Sequence, residues 1–439
     1  MSEPKQKISR PRIVVVGGGA GGLELVAGLG KKLGKKNKAE IILVDSSPVH
    51  IWKPLLHEVA AGTLNSYEDE LSYLAYATNH YFQFCLGTMK GLSRIKKEIF
   101  LSPFLDENQK EIIPERTIPY DVLVIAVGSV SNDFNIAGVR EHCLMIDTSS
   151  QAFYFQQHLI KALMGLPYQS NNADQQLNIA IVGGGATGVE LTAELYYATH
   201  QMAEYGFGFD PSKISFSLIE ASDRLLPVLS PHLSEMVREQ LEQLDVTLYT
   251  SEQVSEVTAE GFSTKSGKFI PATIKAWAAG IKAPDFLKDL DGLEVNRINQ
   301  LVVKQTLQTT IDAAIFALGD SAYCPQPGTD KPVPPRAQAA HQQASFLIKS
   351  IDNFLNQKPL SEYRYHDYGS LISLSHYETV GNLMGRITKS MMIEGKLARF
   401  AYLSLYRAHQ AALHGSWHVA MILLANLLTS RIKPRLKLH

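Results

Sequence analysis

The 439-residue chain has little cysteine: only Cys85, Cys143 and Cys324, odd in number and widely spaced. That spacing excludes a disulfide framework and a thiolate metal knuckle, and it suits a reducing compartment. Long apolar runs are also missing. The longest, residues 419–428, is about half of the ~20 residues a membrane-spanning helix needs. The polar stretch 1–12 leads into a predicted strand with no apolar signal segment ahead of it. Nor is there an excess of either charge. With 42 basic and 43 acidic side chains the net charge is −1, which argues against nucleic acid as the main partner, because phosphate neutralisation requires a basic surplus. Apolar residues at 45% and charged residues at 19% describe a globular chain, long enough for two or three domains.

The near-neutral total hides an uneven distribution. Residues 386–439 carry nine basic side chains (Arg386, Lys389, Lys396, Arg399, Arg407, Arg431, Lys433, Arg435 and Lys437) against one acid, Glu394. A basic end with an apolar decamer before its last four cations matches a segment that lies in the headgroup boundary of an anionic membrane. A buried contact between domains or subunits is the alternative.

Residues 12–22 read R-I-V-V-V-G-G-G-A-G-G. Four β-formers lead into G-x-G-x-x-G at Gly17, Gly19 and Gly22, a helix is expected from Leu23 to about Lys32, and a second strand over 40–44 ends at Asp45. In this order the first glycine makes the tight turn, the second admits a pyrophosphate and the third lets helix and strand approach. The acid is placed to accept ribose hydroxyls. The pattern recurs 166 residues later. Residues 178–190 read N-I-A-I-V-G-G-G-A-T-G-V-E, with Gly183, Gly185 and Gly188 followed by a strand over 215–219 that ends at Glu220. Two such loops predict two dinucleotide domains, one for FAD and one for NADH. A carboxylate at Glu220 disfavours a 2′-phosphate and so favours NADH over NADPH, although Arg224 softens that preference.

A third element assigns the two sites. Residues 309–322, T-T-I-D-A-A-I-F-A-L-G-D-S-A, form a short strand ending at Gly319-Asp320. In flavoproteins with two dinucleotide folds an Asp there meets the ribityl-phosphate end of the flavin. Lying after the second loop, it predicts a discontinuous FAD domain with the NADH domain inserted in it. The expected architecture is α/β: two Rossmann-like domains plus a C-terminal membrane-associating helical region. The expected segments are 1–165 and 309–375 for FAD, 166–308 for NADH and 376–439 for the membrane. Residues 122–128 and 274–280 read as the strands whose turns, at Gly128 and Gly280, cross between domains.

No cysteine pair lies near residues 45–65, where a disulfide relay beside the flavin would be needed, so electrons are expected to leave the flavin directly. Residues 333–345, V-P-P-R-A-Q-A-A-H-Q-Q-A-S, predict a helix starting near Arg336, with Gln338 and Gln342 on one face. Their amides suit quinone carbonyls or the flavin edge; a plain polar helix face is the alternative. Lys53 is placed to neutralise a reduced flavin and His57 to donate a proton, or both are ordinary surface residues.

The stretch H-I-W-K-P-L-L-H-E-V-A-A-G (50–62), the two glycine loops, A-W-A-A-G-I-K-A-P, A-L-G-D and A-Q-A-A-H-Q (337–342) together resemble the type II NADH dehydrogenases, the non-proton-pumping NADH:quinone oxidoreductases. The resemblance spans essentially the whole chain and is strongest to the bacterial respiratory enzymes. It implies non-covalent FAD, reduction by NADH and reoxidation by a membrane quinone. It places Gln338 and Gln342 at the quinone, Glu190 on the nicotinamide side near the flavin and Asp320 at FAD, and in a low-dielectric site Glu190 is then expected to relay a proton. Besides Asp320, the residues Lys53, Gly128 and Ala337 are expected at FAD, and Gly280 at NADH. It also implies a homodimer peripheral to the cytoplasmic face of a bacterial inner membrane, with no metal. A sulfide:quinone oxidoreductase, a soluble ferredoxin or rubredoxin reductase and a non-catalytic NADH sensor are the rival expectations.

Overall fold

The computed structural model describes residues 10–64, 70–106, 108–168, 176–329, 331–374, 378–383, 391–394, 407, 410, 411, 413, 415–429 and 436. The chain forms two compact units. One comprises Met1–His50, Glu70–Val130 and Lys282–His366; the other comprises Ile51–Asp69, Ser131–Ile281 and Asp367–His439.

The first unit is built on a five-stranded parallel sheet in the order Ile315–Ala317, Val122–Ile125, Arg12–Val16, Glu40–Asp45, Gln83–Leu86. Its inner strands are near-continuous runs of Ile, Val and Leu because both faces of a parallel sheet are covered. Ile13, Val14, Leu43, Val124, Ile315 and Phe316 are buried in this core. The Ala20–Leu29 helix packs on the Ala337–Leu355 helix. It begins at Ala20, three residues earlier than expected, because Gly19 is its N-cap and the glycine loop itself supplies the first turn. It gives way at Gly30 to a π-turn, Gly30–Gly34.

The second unit repeats the design. Its parallel sheet runs Val246–Tyr249, Ile214–Ile219, Leu177–Val182, Ile274–Trp277. Each unit also carries a three-stranded antiparallel sheet: Arg116–Pro119, Glu98–Leu101 and Met89–Ser93 in the first, Val254–Val257, Gly261–Thr264 and Phe269–Pro271 in the second.

The units divide the chain at points other than the expected 165/166 and 308/309. The Ser149–Gly165 helix joins the second unit because its apolar stripe of Ala152, Phe155, Leu159 and Leu163 is buried in the same core as Leu177, Ile179 and Leu191. The short Leu56–Ala61 helix belongs there too, through Leu56, Val59, Ala60 and Ala61. The region expected to be helical after residue 375 contains strands. Gly369–Leu374, Glu378–Leu383 and Met391–Glu394 form an antiparallel sheet, and Ile372 and Leu374 are buried while Ser373 between them is half-exposed, the two-residue period of a strand. Helix follows at Ser416–Thr429 and takes in the apolar decamer. No helix among the described residues is long and apolar enough to cross a membrane. Of the expected basic residues, Arg386, Lys389, Lys396, Arg399, Arg431, Lys433, Arg435 and Lys437 lie outside the described residues.

Candidate functional site

The two glycine loops have matching geometry. Gly17 has φ +100° and Gly183 φ +114°, the region that favours glycine. The Gly17 amide donates to the Val44 carbonyl and the Gly183 amide to the Ile219 carbonyl, each at 2.8 Å. A Cβ on Gly22 would sit 1.9 Å from the Gly17 carbonyl oxygen, and one on Gly188 would sit 1.9 Å from that of Gly183, so each helix starts in contact with its own loop. At Gly19 and Gly185 a Cβ would meet nothing within 4 Å. That open side, facing unpaired amides of a helix N-terminus, fits a pyrophosphate.

The acids after the second strands hold these loops in shape. Asp45 accepts from the Gly18 amide at 2.6 Å and the Ser47 amide at 2.8 Å. Glu220 accepts from the Gly184 amide at 2.6 Å and the Ser222 amide at 2.7 Å. Both carboxylates retain lone pairs for ribose hydroxyls. Burial raises the Asp45 pKa against the lowering effect of these bonds. In the first loop His50 and the Tyr73 hydroxyl also reach the Gly18 carbonyl, at 3.0 and 2.7 Å. Arg224 donates to the Pro227 carbonyl at 3.1 Å, which ties it into its own turn.

The other end of the first unit's site is the turn after Ile315–Ala317, where Gly319 has φ +67°. The Ser129 hydroxyl, next to Gly128 (φ +70°), donates to Asp320 Oδ2 at 2.7 Å. The Gln300 side chain donates to the Asp320 carbonyl at 2.9 Å, and the Gly319 amide donates to Gln343 Oε1 at 2.7 Å. The helix after Pro334-Pro335 begins at Ala337. Gln338 is half-buried in its first turn. Gln342 binds the backbone of His366 in both directions, donating at 2.8 Å and accepting at 3.0 Å, so its amide clasps that segment to the helix. Sequence reasoning missed Ser129 and Gln343. Gln343 is adjacent to the predicted glutamine face, and only its burial against Gly319 reveals its use.

The second unit gathers a buried acidic cluster. Glu190 and Glu194 lie one turn apart on the Ala186–Glu204 helix, and His57 projects from the Leu56–Ala61 helix. Their exposures are only 7%, 5% and 4%. His57 Nδ1 is 4.0 Å from Glu190 Oε2, and the Ser373 amide donates to Glu190 Oε1 at 3.0 Å. Loss of water is the main cause that lifts the Glu190 pKa to about 8; the Ser373 bond lowers it and neighbouring Glu194 raises it. Burial also draws His57 down to about 4. At pH 7, then, this is a protonated carboxyl beside a neutral imidazole, not an ion pair. His57, expected as a proton donor or else a surface residue, is buried, and loss of water disfavours its charged form. Lys53, expected at the flavin, lies 3.7 Å from Asp147 within this unit. Gly280 (φ +62°) lies under the Phe134 ring.

Burial pushes the thiols of Cys143 and Cys324 up to about 12 each. Neither is a thiolate near neutrality, so neither is poised as a redox nucleophile. Among the described residues no cluster of His, Cys, Asp and Glu has metal-holding geometry.

Residues 11–344 match the pyridine nucleotide-disulphide oxidoreductase family. A Type II NADH:quinone oxidoreductase of Haemophilus influenzae is 45% identical over 97% of this chain and 99% of its own length. In fold the chain is similar to NDH2 from Plasmodium falciparum, solved in complex with NADH, with a TM-score of 0.83 at 20% identity over 98% of this chain and 100% of that one. The sulfide:quinone oxidoreductase of Aquifex aeolicus superposes with a TM-score of 0.71 at 16% identity, over 92% of each chain.

Proposed function

The chain belongs to the pyridine nucleotide-disulphide oxidoreductase family and, within it, to the type II NADH:quinone oxidoreductases, and from that membership we propose that it oxidises NADH and passes both electrons through FAD to a membrane quinone without pumping protons. The observation that supports this reading best is the pair of matched glycine cradles, each braced by a carboxylate, in a chain whose buried thiols are not ionised.

FAD supplies, when bound, the two-electron acceptor that NADH and quinone share. The first unit's residues hold it: Gly17, Gly19 and Gly22 take the pyrophosphate, Asp45 the ribose, and Gly128, Asp320 and Ala337 the flavin end. Gly183, Gly185, Gly188, Glu220 and Gly280 form the NADH site, and a tethered Arg224 leaves Glu220 free to select NADH. Gln338 and Gln342 border the quinone. By compact unit, FAD falls to the first and NADH to the second. The overall reaction, NADH + H⁺ + quinone → NAD⁺ + quinol, consumes one proton from solvent, and Glu190 is the group that delivers it. A buried acid with a pKa of about 8 carries a proton at pH 7 and parts with it readily.

The protein is membrane-associated, and residues 376–439 attach it. On the Ser416–Thr429 helix, Trp417, Met421, Leu424 and Leu428 are each more than half exposed and recur every three or four residues, a stripe that enters the headgroup region of anionic lipid. Attachment is peripheral, on the cytoplasmic face of a bacterial inner membrane, as a homodimer. The FAD-loaded protein mixed with NADH under argon is expected to bleach and to regain its colour on adding quinone. Bleaching without recovery would favour a sensor, and no bleaching would end the reading.

A further inference from the structure

The Gly319–Ser321 turn, which presents Asp320, is gripped by two buried amides that the reaction scheme leaves unused. Gln343 is 1% exposed, and its Oε1 accepts from the Gly319 amide at 2.7 Å. Gln300 is 6% exposed, and its Nε2 donates to the Asp320 carbonyl at 2.9 Å. Gln300 is itself pinned by Asn296, whose Nδ2 donates to Gln300 Oε1 at 2.9 Å and whose Oδ1 accepts from the Gln300 amide at 3.0 Å. The Gly319-Asp320 dipeptide is therefore held at its first N–H and its last C=O. The turn needs such a grip. It is a single 3₁₀ turn of three residues that begins at φ +67°, and so short an element has little stability of its own. Ser129 fixes Asp320 Oδ2 at 2.7 Å, so Oδ1 is the oxygen left for a ribityl hydroxyl.

The helix that carries Gln343 also touches the other end of the site. Ala340, one turn before Gln343 on the Ala337–Leu355 helix, packs on Gly21 beside the glycine loop. A Cβ at Gly21 would sit 2.9 Å from the Ala340 carbonyl oxygen and 2.6 Å from Cδ1 of Leu318, the residue that leads into the Asp320 turn. One helix thus spaces the glycine loop from the turn, and Gln343 fastens it to the turn. All of these residues belong to the first unit.

We propose that Gln343 and Gln300 are positioning residues for FAD, which hold the Asp320 carboxylate at a set distance from the Gly17–Gly22 loop so that both ends of one dinucleotide are held at once. The inference rests on the reading of the first unit as the FAD site. Both amides act through the Asp320 turn and not by contact with the cofactor. A turn fixed beforehand costs no ordering when the flavin end arrives, and with the pyrophosphate already in the loop that second contact is intramolecular. Without its acceptor the Gly319 amide is a buried, unpaired donor, and the turn rearranges to satisfy it. The flavin end then loses its partner while the pyrophosphate end keeps the loop.

Two measurements on the full chain test this: release of FAD from the loaded protein, followed as flavin fluorescence after dilution, and competition by ADP for FAD rebinding. ADP carries the pyrophosphate and adenosine of FAD without the flavin end. Gln343→Met and Gln300→Met are each expected to release FAD about 10-fold faster than wild type, while ADP blocks rebinding at a concentration within about two-fold of wild type. Gln343→Glu keeps an oxygen that accepts from Gly319 and is expected to bring release back to within about three-fold of wild type. Wild-type release in both Met variants overturns the proposal. So does a loss of ADP affinity as large as that of FAD, which would mean a general loosening of the unit, and so does a Gln343→Glu no slower than Gln343→Met, which would assign the effect to packing. Should Gln343→Met fail to fold, Gln300→Met decides the question. Gly22→Ala separates the two levels. If it retains flavin, the FAD reading of the first unit falls; if it is flavin-free and both Met variants release FAD as wild type does, only the positioning role falls.

Discussion

Glu190 and His57 lie 4.0 Å apart, and burial moves each away from its ordinary charge state. Glu190 rises from 4.5 to about 8 and His57 falls from 6.5 to about 4. Their contributions to stability therefore run in opposite directions with pH. As pH rises from 4.5 to about 8 the unfolded chain releases the Glu190 proton and the folded chain keeps it, so stability is lost. As pH falls from 6.5 to about 4 the unfolded chain binds a proton at His57 and the folded chain does not, so stability is lost there too. Between 4.5 and 6.5 the two trends offset one another, and above 6.5 the Glu190 term acts alone, at up to about 1.4 kcal/mol per pH unit. Glu190→Gln is expected to remove the decline between pH 6.5 and 8 and to melt above the wild type at pH 8, in thermal denaturation across that range. A variant whose melting temperature still falls with the wild-type slope contradicts a protonated Glu190.

At the scale of elements, the strand–loop–helix unit is the same device built twice, and each copy can be disabled separately. The Cβ of an alanine at Gly22 or Gly188 would lie 1.9 Å from a carbonyl oxygen, a clash with backbone that no side-chain movement relieves. Gly22→Ala is expected to yield protein without flavin absorbance. Gly188→Ala is expected to keep its flavin and to need at least about 10-fold more NADH for half-maximal bleaching, the cost of roughly 1.4 kcal/mol in binding. Absorbance spectra and an NADH titration check both. Equal flavin loss in the two variants would mean that the units do not divide the cofactors as proposed. These elements were legible in the sequence because their signals are contiguous: β-formers, three glycines at fixed spacing and an acid at the end of the next strand. The Ser149–Gly165 helix and the strands from Gly369 to Glu394 were less so. Their partners are remote in sequence, and a short alternating segment such as Gly369–Leu374 identifies itself only when Ile372 and Leu374 find a core to enter.

For the whole molecule, what matters is how a water-soluble dinucleotide fold meets a lipid-soluble acceptor. The apolar stripe of the Ser416–Thr429 helix is the feature proposed for that role. Replacing Leu424 and Leu428 together by Asp is expected to reduce co-flotation with anionic vesicles about 10-fold or more, since each side chain forfeits about 1.5–3 kcal/mol of apolar burial. Turnover with a short-chain soluble quinone should be retained. Undiminished flotation would assign attachment to another part of the chain. The charge pattern, a basic, acid-poor end on a chain of net charge −1, is what points to a membrane partner in the sequence. It did not reveal that strands precede the helix.

The sequence by itself determined the two nucleotide cradles, their order and the absence of a local thiol relay. Those properties depend on backbone sterics and hydrogen bonds among residues a few positions apart, and such constraints are written in the residues that meet them. Only the tertiary structure decided the protonation of the acidic cluster, the pairing of Glu194 with Thr63 and the clasp of Gln342 on His366. Whether a carboxyl keeps its proton depends on how completely water is removed from it, and water is removed by side chains and backbone that arrive from distant parts of the chain.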